Sequence, residues 1–314
     1  MPDILISEVG PRDGLQSVKR TLATTLKHRW IRALADAGLK EIEAASFVPA
    51  KILPQMADAA DVVGAAITLP GVTVIALVPN LRGAQAALEA GAHKISIPFS
   101  ASEPHSIANV RKTHAQMFEE VAAILEYRAA HFPQRGVETG VSTAFGCTIA
   151  GVIEEDSVMR IAVRLAGMGS DSIGLSDTTG YGNPAQVKRM FQRLKKEIGD
   201  KAGAAHLHNT RGQGLANVVA ALDAGVTTFD ASQGGIGGCP YAPGATGNIV
   251  TEDLVFLLES MGLDTGIDID KLIAARTVLA EGLPGEPIYG HLPDAGVTKG
   301  FRYADGRSYQ STAD

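Results

Sequence analysis

Short apolar runs alternate with stretches of helical period from one end of the chain to the other. Strand-like runs fall at 4–9, 40–44, 72–78, 93–98, 136–144, 171–175, 203–208 and 226–231. Between them, apolar residues recur at three- and four-residue spacing over 24–37, 53–67, 80–90, 106–131, 154–168, 183–199 and 211–224, which is the period of an amphipathic helix. The segment 250–261 completes the set, and a further helix is predicted near 269–281. Strand and helix alternate eight times without a hairpin signal, which predicts a parallel sheet. Eight units match closure into an α/β fold of the (β/α)8 TIM-barrel type, here with an additional C-terminal helix and tail. A doubly wound open sheet is the other architecture that this alternation permits.

Local signals support the helix ends. Gly38 and Gly91 follow Ala-Asp-Ala and Leu-Glu-Ala, as residues that end a helix in the left-handed region. Asn183 precedes Pro184, an N-cap followed by proline at the first helical position. Helix 211–224 runs into Gly225 and then a fresh strand. No charged block or low-complexity linker interrupts the chain, so a single catalytic domain over 1–283 is expected. It includes a glycine-rich loop at 234–248, and the stretch 284–314 reads as a surface extension.

Composition narrows the classes. With 314 residues, 45% hydrophobic and 20% charged, the chain can bury a substantial core without disulfide staples. A net charge of −6 offers no basic face for a phosphate backbone, so nucleic acid is not an expected partner. Positive charge for an anionic substrate would have to be local, around Arg12, Lys51, Arg82 or a metal ion. Two cysteines, Cys147 and Cys239, suit a reducing compartment. No run reaches the roughly 18 apolar residues of a membrane span, and Met-Pro-Asp leads directly into the first strand without a targeting pattern. A cytoplasmic setting, no membrane partner and a homo-oligomer are expected.

A barrel carries its chemistry at the C-terminal ends of its strands. There the first strand ends Glu8-Val-Gly-Pro-Arg12-Asp13-Gly14, the second Glu41-Ile-Glu43 and the seventh His206-Leu207-His208-Asn209. Two histidines spaced by two on a strand point to one face and suit one divalent cation, with Asp13 completing a facial set. A His-x-His also lines barrel rims without metal; the Arg-Asp at another strand end favours the ligand reading. Gly10, Pro11 and Gly14 make a tight connection, so Arg12 is more than an exposed ion pair. Its permanent charge suits a developing enolate oxygen. Glu43 either orients the Arg12 fork or is structural. Cys239 lies in a glycine-rich loop able to close as a lid and deliver a thiol as general acid; otherwise it is a small buried hydrophobe, the reading given to Cys147. Asn248 is either a helix N-cap or a carbonyl ligand to the metal.

Three segments, Glu8 to Gln16, Ile42-Glu-Ala-Ala-Ser-Phe47 and Gly237 to Asn248, resemble the 3-hydroxy-3-methylglutaryl-CoA lyase family, from the first strand to about residue 268. The cysteine-containing loop is the most specific of them. The resemblance implies that Asp13, His206, His208 and Asn248 hold Mg²⁺ or Mn²⁺, and that an acyl-CoA thioester is cleaved to acetyl-CoA and a keto acid. It further implies that Asp13 or His206 is the base, that Arg12 stabilises the enolate with support from Glu43, and that Cys239 protonates it. The sequence departs from the family pattern at Ser17-Val18, at Cys147-Thr148-Ile149 and at Asn209, near the expected mouth, which leaves the acyl group open. A condensing enzyme or a keto-acid aldolase on the same scaffold are the alternative activities. A catalytically silent barrel does not explain Arg12, Asp13, both histidines, Cys239 and Asn248 together.

Overall fold

Along the barrel strands one set of alternate side chains is apolar and enclosed, and the other is small or polar. In β4 (Lys94–Ser100) Ile95, Ile97 and Phe99 are fully buried, while Ser96 and Pro98 keep solvent access. The enclosed set faces the helices: Phe99 packs on Phe118 with ring centroids 4.6 Å apart. The other set faces the barrel axis, since Lys94 Nζ reaches past a whole strand to Glu41 at 2.7 Å. The sequence alternation therefore sorts a dry outer face from a polar inner one.

The structure is a computed structural model and describes residues 2–238 and 247–310. Its parallel strands are β1 (Leu5–Glu8), β2 (Glu41–Ser46), β3 (Thr73–Leu77), β4, β5 (Gly136–Ser142), β6 (Ser172–Asp177), β7 (Ala202–Leu207) and β8 (Thr228–Ala231). Each pairs with the next, and β1 pairs with β8 over Leu5 to Glu8, which closes the barrel and excludes the open sheet. The surrounding helices are α1 (Thr24–Asp36), α2 (Ala59–Ala66), α3 (Leu81–Glu89), α4 (Glu103–Val110), α5 (His114–His131), α6 (Glu155–Met168), α7 (Pro184–Ile198), α8 (Gly214–Asp223), α9 (Thr251–Ser260) and α10 (Ile269–Gly282). Beyond residue 284, Phe301 and Tyr303 are buried, and the Tyr303 hydroxyl accepts the Ile269 N–H at the start of α10. No helix among the described residues is long and apolar enough to cross a membrane.

The expected helix over 106–131 is two helices. Arg111 takes a left-handed conformation (φ 59°) that ends α4. Thr113 then opens α5 with a capping box to Gln116, a local hydrogen-bonding exchange that outweighs continuous periodicity. The stretch 53–67 also divides, into a 3₁₀ turn at Pro54–Met56 and α2. Asn183 caps α7 through the Gln186 N–H, as its place before Pro184 implies.

Glu8 locks the first and last elements together. Its Oε1 accepts the Gly10 and Gln233 N–H groups at 2.8 and 2.9 Å, and its Oε2 accepts the Thr251 hydroxyl at 2.7 Å. Complete burial pushes its carboxyl up to about 8, against the pull of those three donors and with help from Glu252. A folded-state pKa above the ordinary 4.5 means that this contribution is fully present below pH 4.5 and is lost as pH rises through about 8. Glu8→Gln stays neutral at every pH and keeps the acceptor for both N–H groups. We expect it to fold and to decline less than the parent between pH 5 and 8.5, by at most about 1.4 kcal/mol per pH unit. Burial also raises Glu43 and Glu138, but both remain in the variant, so the difference isolates Glu8. Melting temperatures across that range check it, and parallel profiles would remove Glu8 as the cause.

Candidate active site at the C-terminal ends of the strands

β1 ends in a wide turn over Gly10–Gly14, in which the N–H groups of Asp13 and Gly14 both reach the Val9 carbonyl, at 2.7 and 3.3 Å. The widened turn turns Arg12 and Asp13 to the barrel mouth. Arg12 is buried and forked: its Nε and Nη2 hold Glu43 Oε2, and its Nη1 holds Asp13 Oδ1 at 2.5 Å. Glu43 is buried. Burial pushes its carboxyl up to about 7 despite the guanidinium beside it. Burial alone would raise Asp13 too, but Arg12, the two histidines and the Asn248 amide hold it below the ordinary carboxylate value. Gln16 Nε2 adds a hydrogen bond to Asp13 Oδ1 at 2.9 Å.

The histidines of β7 converge on the same point. His206 Nε2 lies 3.1 Å from His208 Nε2 and 4.0 Å from Asp13 Oδ2, and the three candidate ligand atoms lie within 4.8 Å of one another. Burial lowers His208, and the His206 beside it lowers it further, to about 3, so it is a neutral imidazole. Burial would lower His206 as well, but the Asp230 carboxylate 3.0 Å from its Nδ1 raises it. That pairing places the proton on Nδ1 and leaves Nε2 a lone pair facing Asp13. Sequence reasoning missed Asp230. Its signal was present: it stands two residues after Thr228 on β8, an acidic side chain on the inward face of a short strand.

Asn248 joins the cluster through a backbone bridge to His208. Its Nδ2 lies 2.7 Å from Asp13 Oδ2, and its Oδ1 is buried without a partner. The N-cap reading of Asn248 is not realised, because α9 starts behind Val250 without a side-chain cap. Gly237 has φ +112°, and a Cβ there would strike Asn248 Nδ2 at 2.5 Å, so the chain passes too close for any other residue. Cys239 lies outside the described residues. Cys147 is buried, and its Sγ accepts the N–H groups of Ile149 and Ala150, which suits packing. Lys51 and Arg82 are exposed in segments after β2 and β3, on the barrel face that carries Arg12.

The donor set fits a divalent cation. Asp13, His206, His208 and Asn248 offer one carboxylate, two imidazoles and one amide. The two imidazole nitrogens at 3.1 Å match the edge of about 3 Å between neighbouring ligands at 2.0–2.1 Å from a metal. Asn248 Oδ1 is buried without a hydrogen-bond partner, which leaves that amide oxygen available to a cation. Asp13, Glu43 and Asp230 also outnumber the one cation, Arg12, among these side chains, and a metal ion redresses that excess.

The comparisons agree with this geometry. The family model described as HMGL-like matches residues 3–279. The chain is 42% identical over 281 residues to the mitochondrial hydroxymethylglutaryl-CoA lyase of Gallus gallus, covering 89% of this chain and 93% of that one. It is 44% identical over 283 residues to the cytoplasmic 3-hydroxy-3-methylglutaryl-CoA lyase of Rattus norvegicus, covering 89% and 81%. Among solved structures, an HMG-CoA lyase from Acenitobacter baumannii, in complex with coenzyme A and 3-methylmalate, superposes with a TM-score of 0.89. It is 40% identical, with 94% of this chain and 96% of that one covered.

Proposed function

This chain belongs to the HMGL-like family, and from that membership we propose that it is a lyase that cleaves 3-hydroxy-3-methylglutaryl-CoA to acetyl-CoA and acetoacetate. The observation that carries the reading to these residues is the position of Asp13. One of its oxygens holds Arg12 Nη1, and the other faces Asn248 and His206. The charge that would stabilise an enolate and the candidate ligands for a hydroxyl-binding cation therefore meet at a single carboxylate.

Asp13, His206, His208 and Asn248 hold the divalent cation in this reading, Mg²⁺ or Mn²⁺. When bound, the cation supplies Lewis acidity that lowers the pKa of the substrate hydroxyl. Asp13 takes the hydroxyl proton, or His206 does where its Nε2 is free of the cation, and Asp230 steadies the charge that would then build on His206. The C–O bond becomes a ketone as the C2–C3 bond breaks, and the electron pair moves onto the thioester α-carbon. Arg12, clamped by Glu43 and Asp13, aims its guanidinium at the enolate oxygen. Cys239 gives its thiol proton to the carbanion, which completes acetyl-CoA, and the proton held by the base restores the thiol. An acyl-CoA is thus the partner, and a reducing cytoplasm suits a catalytic thiol.

Release of acetyl-CoA from 3-hydroxy-3-methylglutaryl-CoA with added Mg²⁺, and its loss with EDTA, tests the activity. Consumption of acetyl-CoA with a keto acid, without cleavage, would instead establish the condensing enzyme. For Arg12, we expect Arg12→Lys to keep the fold and lose about 10²–10³ in kcat, the span for removing one preorganised donor to an oxyanion. An ammonium keeps the charge but cannot reproduce a fork that grips Glu43 and Asp13 together. Steady-state kinetics with unchanged metal content check this; near-parental kcat would take Arg12 out of the chemistry.

A further inference from the structure

The interior of this barrel departs from the packed layers of branched side chains that usually fill one. Ser96, Pro98, Gly140, Ser142, Gly174 and Ser176 sit on β4, β5 and β6, keep solvent access, and alternate with fully enclosed neighbours. Pro98, Gly140 and Gly174 are register partners across the three strands. Their shared level therefore offers no side chain larger than a proline ring. Gly140 has no backbone need to be glycine. Its φ is not positive, and a Cβ there would meet only Ser176 Oγ, at 3.8 Å. Gly174 differs, since a Cβ there would strike the Ala204 carbonyl at 2.8 Å. What glycine supplies at 140 is room.

The room has a floor and a neighbour. Below it, Lys94 Nζ bridges Glu41 at 2.7 Å and Glu138 at 3.2 Å, closing the axis with a salt-bridged layer. Above it, Ser176 is the register partner of His206. The well thus begins beside His206, a candidate ligand of the cation that would act on the C3 hydroxyl.

We propose that the axial well between β4, β5 and β6 is a subsite for the C3 branch of the substrate, taking a polar substituent longer than methyl. This rests on the lyase reading of the same site. The lining decides the chemistry: Ser96, Ser142 and Ser176 stand on the solvent-accessible face of their strands, with Ser176 Oγ beside Gly140, and an apolar branch would desolvate such hydroxyls without return. A hydroxyalkyl branch exchanges hydrogen bonds with them and displaces water. Lys94 is already committed to two carboxylates, so the floor does not call for an anion.

The test compares 3-hydroxy-3-methylglutaryl-CoA with its homologue carrying 2-hydroxyethyl at C3, in the parent protein and in Gly140→Leu. Ser96→Leu fills the same space from β4 should the first variant fail to fold. We expect the ratio of kcat/KM, homologue over methyl substrate, to fall about 100-fold or more on filling the well. A fall of less than tenfold overturns the subsite and leaves the lyase reading intact. If the parent protein cleaves neither thioester, the lyase reading falls. Calorimetric affinities of the two free 3-hydroxy diacids with Mg²⁺ then judge the well by the same tenfold criterion, and absence of binding overturns it.

Discussion

The double variant His206→Ala, His208→Ala is expected to lose the divalent cation and to cleave thioester at the uncatalysed rate, with the barrel intact. Mutating partners that only orient metal ligands costs about 10–100-fold in affinity, so removing two ligands directly should exceed about 10²-fold. The fold should survive because the apolar face of β7 is supplied by Ala205 and Leu207, which are fully buried and untouched by the change. Removing the imidazoles also removes the buried, unpartnered His208 Nδ1. Asp230→Asn makes a graded companion. It keeps an acceptor for His206 Nδ1 but loses the charge that raises that ring, and it should cost about 10–100-fold in metal affinity. Metal content after dialysis, read beside circular dichroism, decides. Stoichiometric metal in the folded double variant would refute the site.

Much of this arrangement is legible in the sequence because it depends on spacing. The barrel follows from eight alternations of period, and the shared face of His206 and His208 from a two-residue step on a strand. That Arg12 meets Asp13 is almost given by adjacency. Contacts between distant strands are another matter. Glu43 on Arg12 spans 31 residues, and Asn248 on Asp13 spans 235. Asp230 escaped because a single acidic residue at the end of a short strand looks like a turn residue until the barrel closes and sets β8 beside β7. The same closure sets Glu41, grouped in the sequence with the strand ends, in an interior layer with Lys94 and Glu138. Helix division at Arg111 was hidden for a different reason: apolar periodicity continues across the break, and only the caps report it.

Cys239→Ser is expected to lose about 10²–10⁴ in kcat, the span for a missing general acid, with metal binding and thermal stability nearly unchanged. That loss corresponds to about 3–5.5 kcal/mol of transition-state stabilisation. The anchors of the cysteine loop lie at the site. Asn248 Nδ2 donates to the Ile236 carbonyl, and the Asn209 N–H donates to the Gly247 carbonyl. Asp13 lies against Gly237, as a Cβ there would come within 3.2 Å of its Oδ2. Serine preserves the size but holds its proton far more tightly, so the carbanion would wait on a poorer donor. The corresponding change at Cys147 is the control. That thiol is enclosed and engaged with backbone N–H groups, so Cys147→Ser should leave kcat close to the parental value. Single-turnover measurement of acetyl-CoA formation in the two variants checks the contrast. Near-parental turnover in Cys239→Ser would make its thiol a bystander and send the search for the acid to the groups around Arg12.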